Sequence, residues 1–324
     1  MKKYNIPIFI PHEGCPHACV FCNQKKITGV ETSVTTYDAE KIIEEYLSFL
    51  PKDRYVEVAF FGGSFTGLSL KMQEEFLKSA NKYKNEIDGI RMSTRPDYIN
   101  EDVLSLAQKY NVKTIELGLQ SADNDVLRLN EREHIFEDTQ KAAQMIKNKG
   151  IALGLQMMIG MYGSTPEKDI ITARETAALM PECVRIYPTL TLKGTRLETL
   201  FNEGKYQPYD LNTAIETCDK VMEIFEEKGI NIIRVGLHSD ESLLSDGNIV
   251  AGPYHESFKE LVLGYRWRKK IEKEIIEQNI RNAEYKVIAD SKEVSVIYGH
   301  KRCNAEYFKT KFGVKITVDV KVGL

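Results

Sequence analysis

From residue 4 to residue 235, short apolar runs alternate with amphipathic stretches, and this rhythm limits the possible folds more than any other feature. Strands are expected at residues 4–11, 56–61, 90–94, 114–119, 151–159, 184–188 and 230–235. Helices are expected between them, at 38–50, 70–83, 100–110, 136–149, 167–180 and 212–228. The punctuation agrees. Pro51 stops the first helix, Gly62-Gly63 breaks the second strand, Asn100 can cap the third helix, and Gly150 and Gly229 stand where helices should end. A strand-plus-helix unit recurring about every thirty residues is what parallel βαβ connections require. Seven such strands predict an incomplete, laterally open (β/α)6–7 TIM-like barrel, with a doubly wound sheet as the alternative.

In a barrel of this kind the chemistry gathers at the C-terminal ends of the strands. Here those ends are where the unusual residues stand. Strand one runs into a cysteine loop, strand two into Gly62-Gly63-Ser64-Phe65-Thr66, and strand three into Ser93, Thr94 and Arg95. Strand four supplies Glu116, Gln120 and Ser121, and strand six ends at Tyr187-Pro188-Thr189. Strand five carries Gln156 inside an otherwise apolar run, where an unpaired amide would cost a few kcal/mol, so a hydrogen-bonding partner is expected.

The cysteine loop reads His12-Glu-Gly-Cys-Pro-His-Ala-Cys-Val-Phe-Cys-Asn23, with Cys15, Cys19 and Cys22 in the spacing C-x3-C-x2-C. Three soft donors on one tight loop suit zinc, copper(I) or an iron–sulfur centre. A four-iron cluster held by three cysteines keeps one iron open, and an open coordination position separates reactive from structural metal sites. Two other uses of the loop stand beside this one: a zinc site completed by His12 or His17, and a redox dithiol of Cys19 and Cys22. Cys183, Cys218 and Cys303 are scattered through apolar or helical patterns and read as core residues.

With 42% hydrophobic and 28% charged residues, the chain has ample material for a soluble core. A net charge of −3 argues against global attraction to nucleic acid or anionic membrane, so any such affinity must be local. No apolar run is long enough for a signal peptide or a membrane span, which predicts a cytoplasmic protein without a membrane partner. After residue 236 the rhythm changes, dividing the chain into a barrel at 1–235 and a small α/β appendage at 236–324. The appendage is expected to hold a polar loop at 239–248, a short apolar turn at 249–255 and a long helix at 256–282. Strands at 284–289, 293–298 and 314–320 should surround a helix near 304–312.

The cysteine loop and the glycine pair together make the chain resemble the radical S-adenosylmethionine superfamily. More narrowly, it is similar to the branch holding the elongator catalytic subunit and the oxygen-independent coproporphyrinogen oxidases. The resemblance spans about residues 4–235 and also rests on FFGGSFTGL (60–68), STRPDYI (93–99), ELGLQSADNDVLR (116–128), REH (132–134) and YPTLTLKGTRLETLFNEGKYQPY (187–209). The last three stretches favour the elongator type. The resemblance implies that Cys15, Cys19 and Cys22 hold a 4Fe–4S cluster whose free iron chelates S-adenosylmethionine. It also implies that Gly62-Gly63 approaches the methionine amino group, that Phe21 lies near the adenine, and that Gln120, Arg132 and Gln156 contact the methionine and ribose parts. Ser64 replaces the glutamate of the superfamily's usual Gly-Gly-Glu, and Ser93 stands where relatives often carry a glutamate. The implied chemistry is reductive cleavage to a 5′-deoxyadenosyl radical, which abstracts hydrogen from an organic substrate, with a flavodoxin or ferredoxin as electron donor.

For the substrate, elongator-type relatives point to a tRNA base, and local basic groups exist at Lys25-Lys26, Lys193, Arg196, residues 266–270 and Lys301-Arg302. Each also reads as a solvated surface charge. No acetyl-CoA-binding pattern is recognisable in the last ninety or so residues, so the acetyltransferase step is not expected in this chain. A small metabolite or porphyrin-like substrate is the second reading. A non-catalytic zinc or RNA-binding barrel is the third.

Overall fold

The computed structural model describes residues 2–10, 14–15, 18–23, 34–237, 243 and 247–321. His12, His17, Lys25, Lys26 and His238 lie outside the described residues.

Seven strands form one parallel sheet: β1 (Lys2–Phe9), β2 (Arg54–Phe61), β3 (Gly89–Thr94), β4 (Val112–Gln120), β5 (Ala152–Ile159), β6 (Cys183–Pro188) and β8 (Asn231–Val235). They lie side by side in chain order, from β1 at one edge to β8 at the other. The sheet curls into a half-barrel, as the alternation predicts for a partial TIM-like fold. Between the strands run α1 (Thr36–Phe49), α2 (Leu70–Asn81), α3 (Glu101–Lys109), α5 (Phe136–Asn148), α6 (Pro166–Ala178) and α8 (Leu211–Glu227).

Local chemistry sets the helix ends. Thr35 caps α1 in a reciprocal box with Asp38, and Asn100 Oδ1 accepts the Val103 amide at 3.0 Å. Each such cap stabilises a helix by about 1 kcal/mol. One continuous core joins inward strand residues such as Ile8, Val58, Leu117 and Val184 to helix residues such as Ile43, Leu104, Ile146 and Val221. Its outer layer of helices leaves the other face of the sheet to enclose the site.

Two short helices fill connections where the sequence signals no element: α4 (Asn124–Leu129), capped by Asp123, and α7 (Arg196–Asn202), capped by Thr195. The segment expected as a mere turn contributes β9 (Ile249–Ala251), which pairs antiparallel with β7 (Thr191–Leu192).

The long helix α9 (Phe258–Glu277) bridges two cores, with Phe258 and Val262 in the first and Ile271 and Ile275 in the second. Two residues of its basic run are spent on docking. Arg266 reaches Asp219 Oδ1 at 2.6 Å and Glu226 at 2.6 Å, and Lys269 reaches Asp219 Oδ2 at 2.6 Å. In the second core, β10 (Glu284–Ala289) and β11 (Lys315–Val320) pair in parallel. The strand expected at 293–298 is instead α10 (Val294–Tyr298), and α11 (Cys303–Phe312) follows it. The correction has a topological cause: two parallel neighbours need a crossover, and the β-branched run Val-Ser-Val-Ile-Tyr falls inside it. Glu293, accepting the Asp290 amide at 3.1 Å, helps start the helical turn, and Ile297 buries its side chain in the second core.

Candidate functional site

The cysteine loop is seated on the turn that follows β2. A Cβ on Gly14 would lie 2.1 Å from the Ser64 carbonyl oxygen, and one on Gly67 would lie 2.1 Å from the Gly14 oxygen. Only glycine at both positions lets the two backbones touch. The loop is held further by the Val20 amide on Asn130 O at 3.2 Å and by the Leu197 amide on Val20 O at 2.9 Å. Val20 packs with Leu197 and Tyr206, and Phe21 joins the same small apolar cluster.

Asn130 is fixed in turn through its Nδ2, which donates to Tyr162 O at 2.8 Å. Tyr162 belongs to the turn after β5, which Asp169 gathers by accepting from Gly160 N at 2.8 Å and Ser164 Oγ at 2.5 Å. Tyr209 OH donates to the same carboxylate at 2.8 Å. Burial pushes the Asp169 carboxyl up to about 6, against the pull of these donors. A folded value above the unfolded 3.8 makes protonation stabilising; that contribution is full below 3.8 and is lost as pH rises through about 6. The neutral replacement Asp169→Asn is therefore expected to remove one component of the decline in stability between these values. Urea midpoints of both proteins at pH 4, 5, 6 and 7 test this, and parallel profiles would contradict it.

The loop forms one wall of a cavity of about 540 Å³ at the C-terminal ends of the strands. Cys15, Cys19 and Cys22 line it, and so do Phe21, Gly62, Gly63, Ser64, Ser93, Gln120, Arg132 and Gln156. The site residues that the resemblance implies thus share one space, whereas Thr66, Glu116, Ser121 and Thr189, also singled out at the strand ends, are not in its lining. Arg132 projects its guanidinium between Cys19 Sγ, at 3.2 Å, and Gly118 O, at 2.6 Å. Its Nε is buried without a partner among the described residues, as is Gln120 Oε1. Gln120 sits at a register shift between β4 and β5 with φ of +65°, a left-handed conformation that a glutamine adopts only under strain.

Gln156 does have partners: its Nε2 donates to Ser93 Oγ at 3.2 Å and to Glu116 Oε2 at 3.0 Å. Beneath them lies an ionic layer that sequence reasoning only half anticipates. Glu116, 1% exposed, accepts from Arg91 Nη1 at 2.7 Å, Arg185 Nε at 2.5 Å and Arg185 Nη2 at 3.0 Å. Burial alone would raise its pKa, but the two guanidiniums outweigh burial and hold the carboxyl below its usual range. Arg91 also reaches Glu57 at 2.8 Å, and Gly154 leaves room for Glu116, since a Cβ there would come within 2.7 Å of its Cγ. The missed signal was the charged residues Arg91 and Arg185 inside strand-like apolar runs. His255 stays outside the cavity lining; its ring meets His300 edge-on with centroids 4.8 Å apart.

Fold and site together define the class: residues 9–175 match the radical SAM superfamily model and residues 181–268 its C-terminal domain model, so the chain belongs to the radical SAM superfamily, an enzyme class. Within it, the similarity runs to the elongator type. The chain is 30% identical over 219 residues to the tRNA uridine(34) acetyltransferase of Methanocaldococcus infernus, covering 61% of this chain and 41% of that protein. It is 28% identical over 261 residues to Elongator complex protein 3 of Mus musculus, covering 66% and 48% respectively. Among solved structures, the Methanocaldococcus infernus Elp3 lacking its N-terminus aligns with a TM-score of 0.65 at 25% identity, over 83% of this chain and 63% of that one. The coproporphyrinogen III oxidase HemN of Escherichia coli shares the fold, with a TM-score of 0.51 at 19% identity over 70% and 53% of the two chains. The chain spans about half the length of the curated relatives it matches.

Proposed function

We propose that this chain is a radical SAM enzyme whose cluster is held by Cys15, Cys19 and Cys22, and that its substrate is a base in RNA. The observation that carries the reading is the convergence of three loop thiols and two orphaned polar atoms, Gln120 Oε1 and Arg132 Nε, on one cavity. The residues fit the group. Soft thiols on one loop suit iron and sulfide. When bound, the cluster and S-adenosylmethionine supply one-electron carbon–sulfur cleavage and a 5′-deoxyadenosyl radical.

The chain's own part is to bind, orient and exclude. Arg132, against Cys19, and Arg95, held by Asp97 at 2.8 Å, bring two guanidiniums to the loop and offset the negative charge of ligated thiolates. Gln120 Oε1 offers an acceptor, and Arg132 Nε a donor, to the polar end of the nucleoside. Ser64 and Ser93 offer hydroxyls at the places where relatives often use carboxylates, and Phe21 and Gly62-Gly63 shape the adjoining walls. A low-potential donor such as a flavodoxin or ferredoxin would reduce the cluster. The RNA substrate is supported by the names of the similar proteins, tRNA uridine(34) acetyltransferase and Elongator complex protein 3, and not by a basic surface. Arg266 and Lys269 are spent on Asp219, and Arg196 pairs with Glu131.

Anaerobically purified protein, supplied with S-adenosylmethionine and dithionite, is expected to contain iron and sulfide and to release 5′-deoxyadenosine. Protein free of iron, or holding zinc in its place, would overturn the reading. In the same assay Gln156→Leu should keep its iron yet bind S-adenosylmethionine about tenfold more weakly, the scale of one lost hydrogen bond to a charged ligand. Loss of iron in that variant would make Gln156 a folding residue instead.

A further inference from the structure

The cavity extends from the cysteine loop, at the end of β1, to the opposite edge of the sheet at β8. Its lining includes four arginines and, among the described residues, no aspartate or glutamate. Three of these guanidiniums are each held by an acceptor at the head. Arg95 is held by Asp97, Arg132 lies between Cys19 and the Gly118 carbonyl, and Arg185 is bound twice by Glu116. Arg234 differs. Its Nε donates to Gly236 O at 3.0 Å, which anchors the stem, and no carboxylate among the described residues pairs with its head.

The sheet register makes this arrangement costly without a ligand. Gln156, Arg185 and Arg234 are neighbours across β5, β6 and β8, so the two arginines stand side by side on one face. Like charges directly across a sheet destabilise it, and among the described residues only Arg185 of the two has a counter-charge. Tyr187, two residues beyond Arg185 and on the same face, lines the same corner with a hydroxyl near both guanidiniums. Leu190, Leu192 and Leu237 wall it off with apolar surface. A guanidinium head that no described carboxylate pairs, beside a hydroxyl in a partly enclosed cavity, is suited to a planar or tetrahedral oxyanion.

We propose that Arg234 and Tyr187 form an oxyanion subsite that holds a carboxylate or phosphate of the substrate on the β6–β8 side of the cavity, across from the cysteine loop. The inference rests on the radical SAM reading for calling that ligand the substrate, but the subsite itself does not. Its position sets it apart from the cysteine loop: five strands, β2 to β6, lie between β8 and the strand that leads into that loop. The substrate is accordingly an anion, and its charge fixes which end faces the loop.

The test is calorimetric titration of cluster-loaded, oxygen-protected protein with inorganic phosphate and, separately, with acetate, each with and without S-adenosylmethionine. At least one anion is expected to bind, and Arg234→Gln should weaken it at least tenfold, since a charge-assisted pair in a partly enclosed site is worth about that much. Arg234→Lys should retain part of the affinity, while S-adenosylmethionine binding stays within about twofold in both variants. Preference for phosphate assigns the subsite to a nucleotide phosphate, and preference for acetate to an organic acid. Undetectable binding of both anions, or equal binding to Arg234→Gln, overturns the proposal. A parallel loss of S-adenosylmethionine affinity also overturns it, because Arg234 would then serve the cofactor's carboxylate. The same titration on metal-free protein reads the subsite alone, so a chain that never loads iron would sink the radical reading without touching this one.

Discussion

Cys19→Ala, purified without oxygen, is expected to hold less than about a tenth of the iron of the unsubstituted chain and to release no measurable 5′-deoxyadenosine, because metal binding needs the deprotonated thiol. The substitution has a second consequence that must be separated from the first. Arg132 Nη1 sits 3.2 Å from Cys19 Sγ, and alanine leaves this buried guanidinium with the Gly118 carbonyl as its remaining close acceptor. An unsatisfied buried donor costs about 1–3 kcal/mol, so Cys19→Ala should also melt a few degrees lower. Cys19→Ser distinguishes the two effects. Its hydroxyl can accept from Arg132 and should recover most of the melting temperature, but a hard oxygen at one corner should not restore the iron. If Cys19→Ala kept its iron and its product, the loop would not be the metal site. If Cys19→Ser recovered iron as well as stability, the cysteine would matter only as a partner for Arg132.

The contrast between what was and was not legible in the sequence follows from where the information sits. The strands of the half-barrel could be read because a buried parallel sheet demands apolar runs of fixed length, and their order follows from the βα alternation. The cysteines, the glycine pair and Gln156 could be read because each is chemically out of place in its segment. The segment at 293–298 misled because its alternating β-branched residues fit a strand, and only the pairing of β10 with β11 turns it into part of a crossover. Arg91 and Arg185 were harder still, since their charges are explained only by partners on other strands, Glu57 on β2 and Glu116 on β4. Arg132 shows the same limit. The resemblance implies a cofactor contact for it; that its guanidinium also lies on Cys19, a contact between residues more than a hundred positions apart, is something no local pattern signals.

Glu116→Gln is expected to lower stability more than any other single substitution outside the apolar core, by about 3–5 kcal/mol, the usual cost of removing one partner from a buried ion pair. The amide keeps the shape of the side chain, and its one oxygen can still accept from Arg91 Nη1 and Arg185 Nη2. Its NH2 group, however, then faces the donors Arg185 Nε and Gln156 Nε2, and the charge that offset two guanidiniums is gone from a site that is 1% exposed at Glu116. For a chain of this size the loss corresponds to a fall in melting temperature of about 10 °C. The pH dependence follows with a definite sign. The Glu116 carboxyl is held below its usual range, so its contribution is complete above the unfolded value near 4.5 and is lost as pH falls through the lower folded value. Unsubstituted protein should therefore lose stability on acidification below that point, and Glu116→Gln should lose less over the same window. The site depends on the same carboxylate, because Glu116 accepts from Gln156 at 3.0 Å and positions Arg185 in the row that ends at Arg234. Replacing the whole layer, Glu116→Leu with Arg91→Met, Arg185→Met and Glu57→Gln so that the partner of Arg91 is not left as a buried unpaired charge, should regain much of the melting temperature while S-adenosylmethionine binding stays impaired. Full recovery of binding in that protein would mean the ionic layer serves the fold alone, whereas recovery of stability without binding would make it the platform on which the cavity's polar row is set.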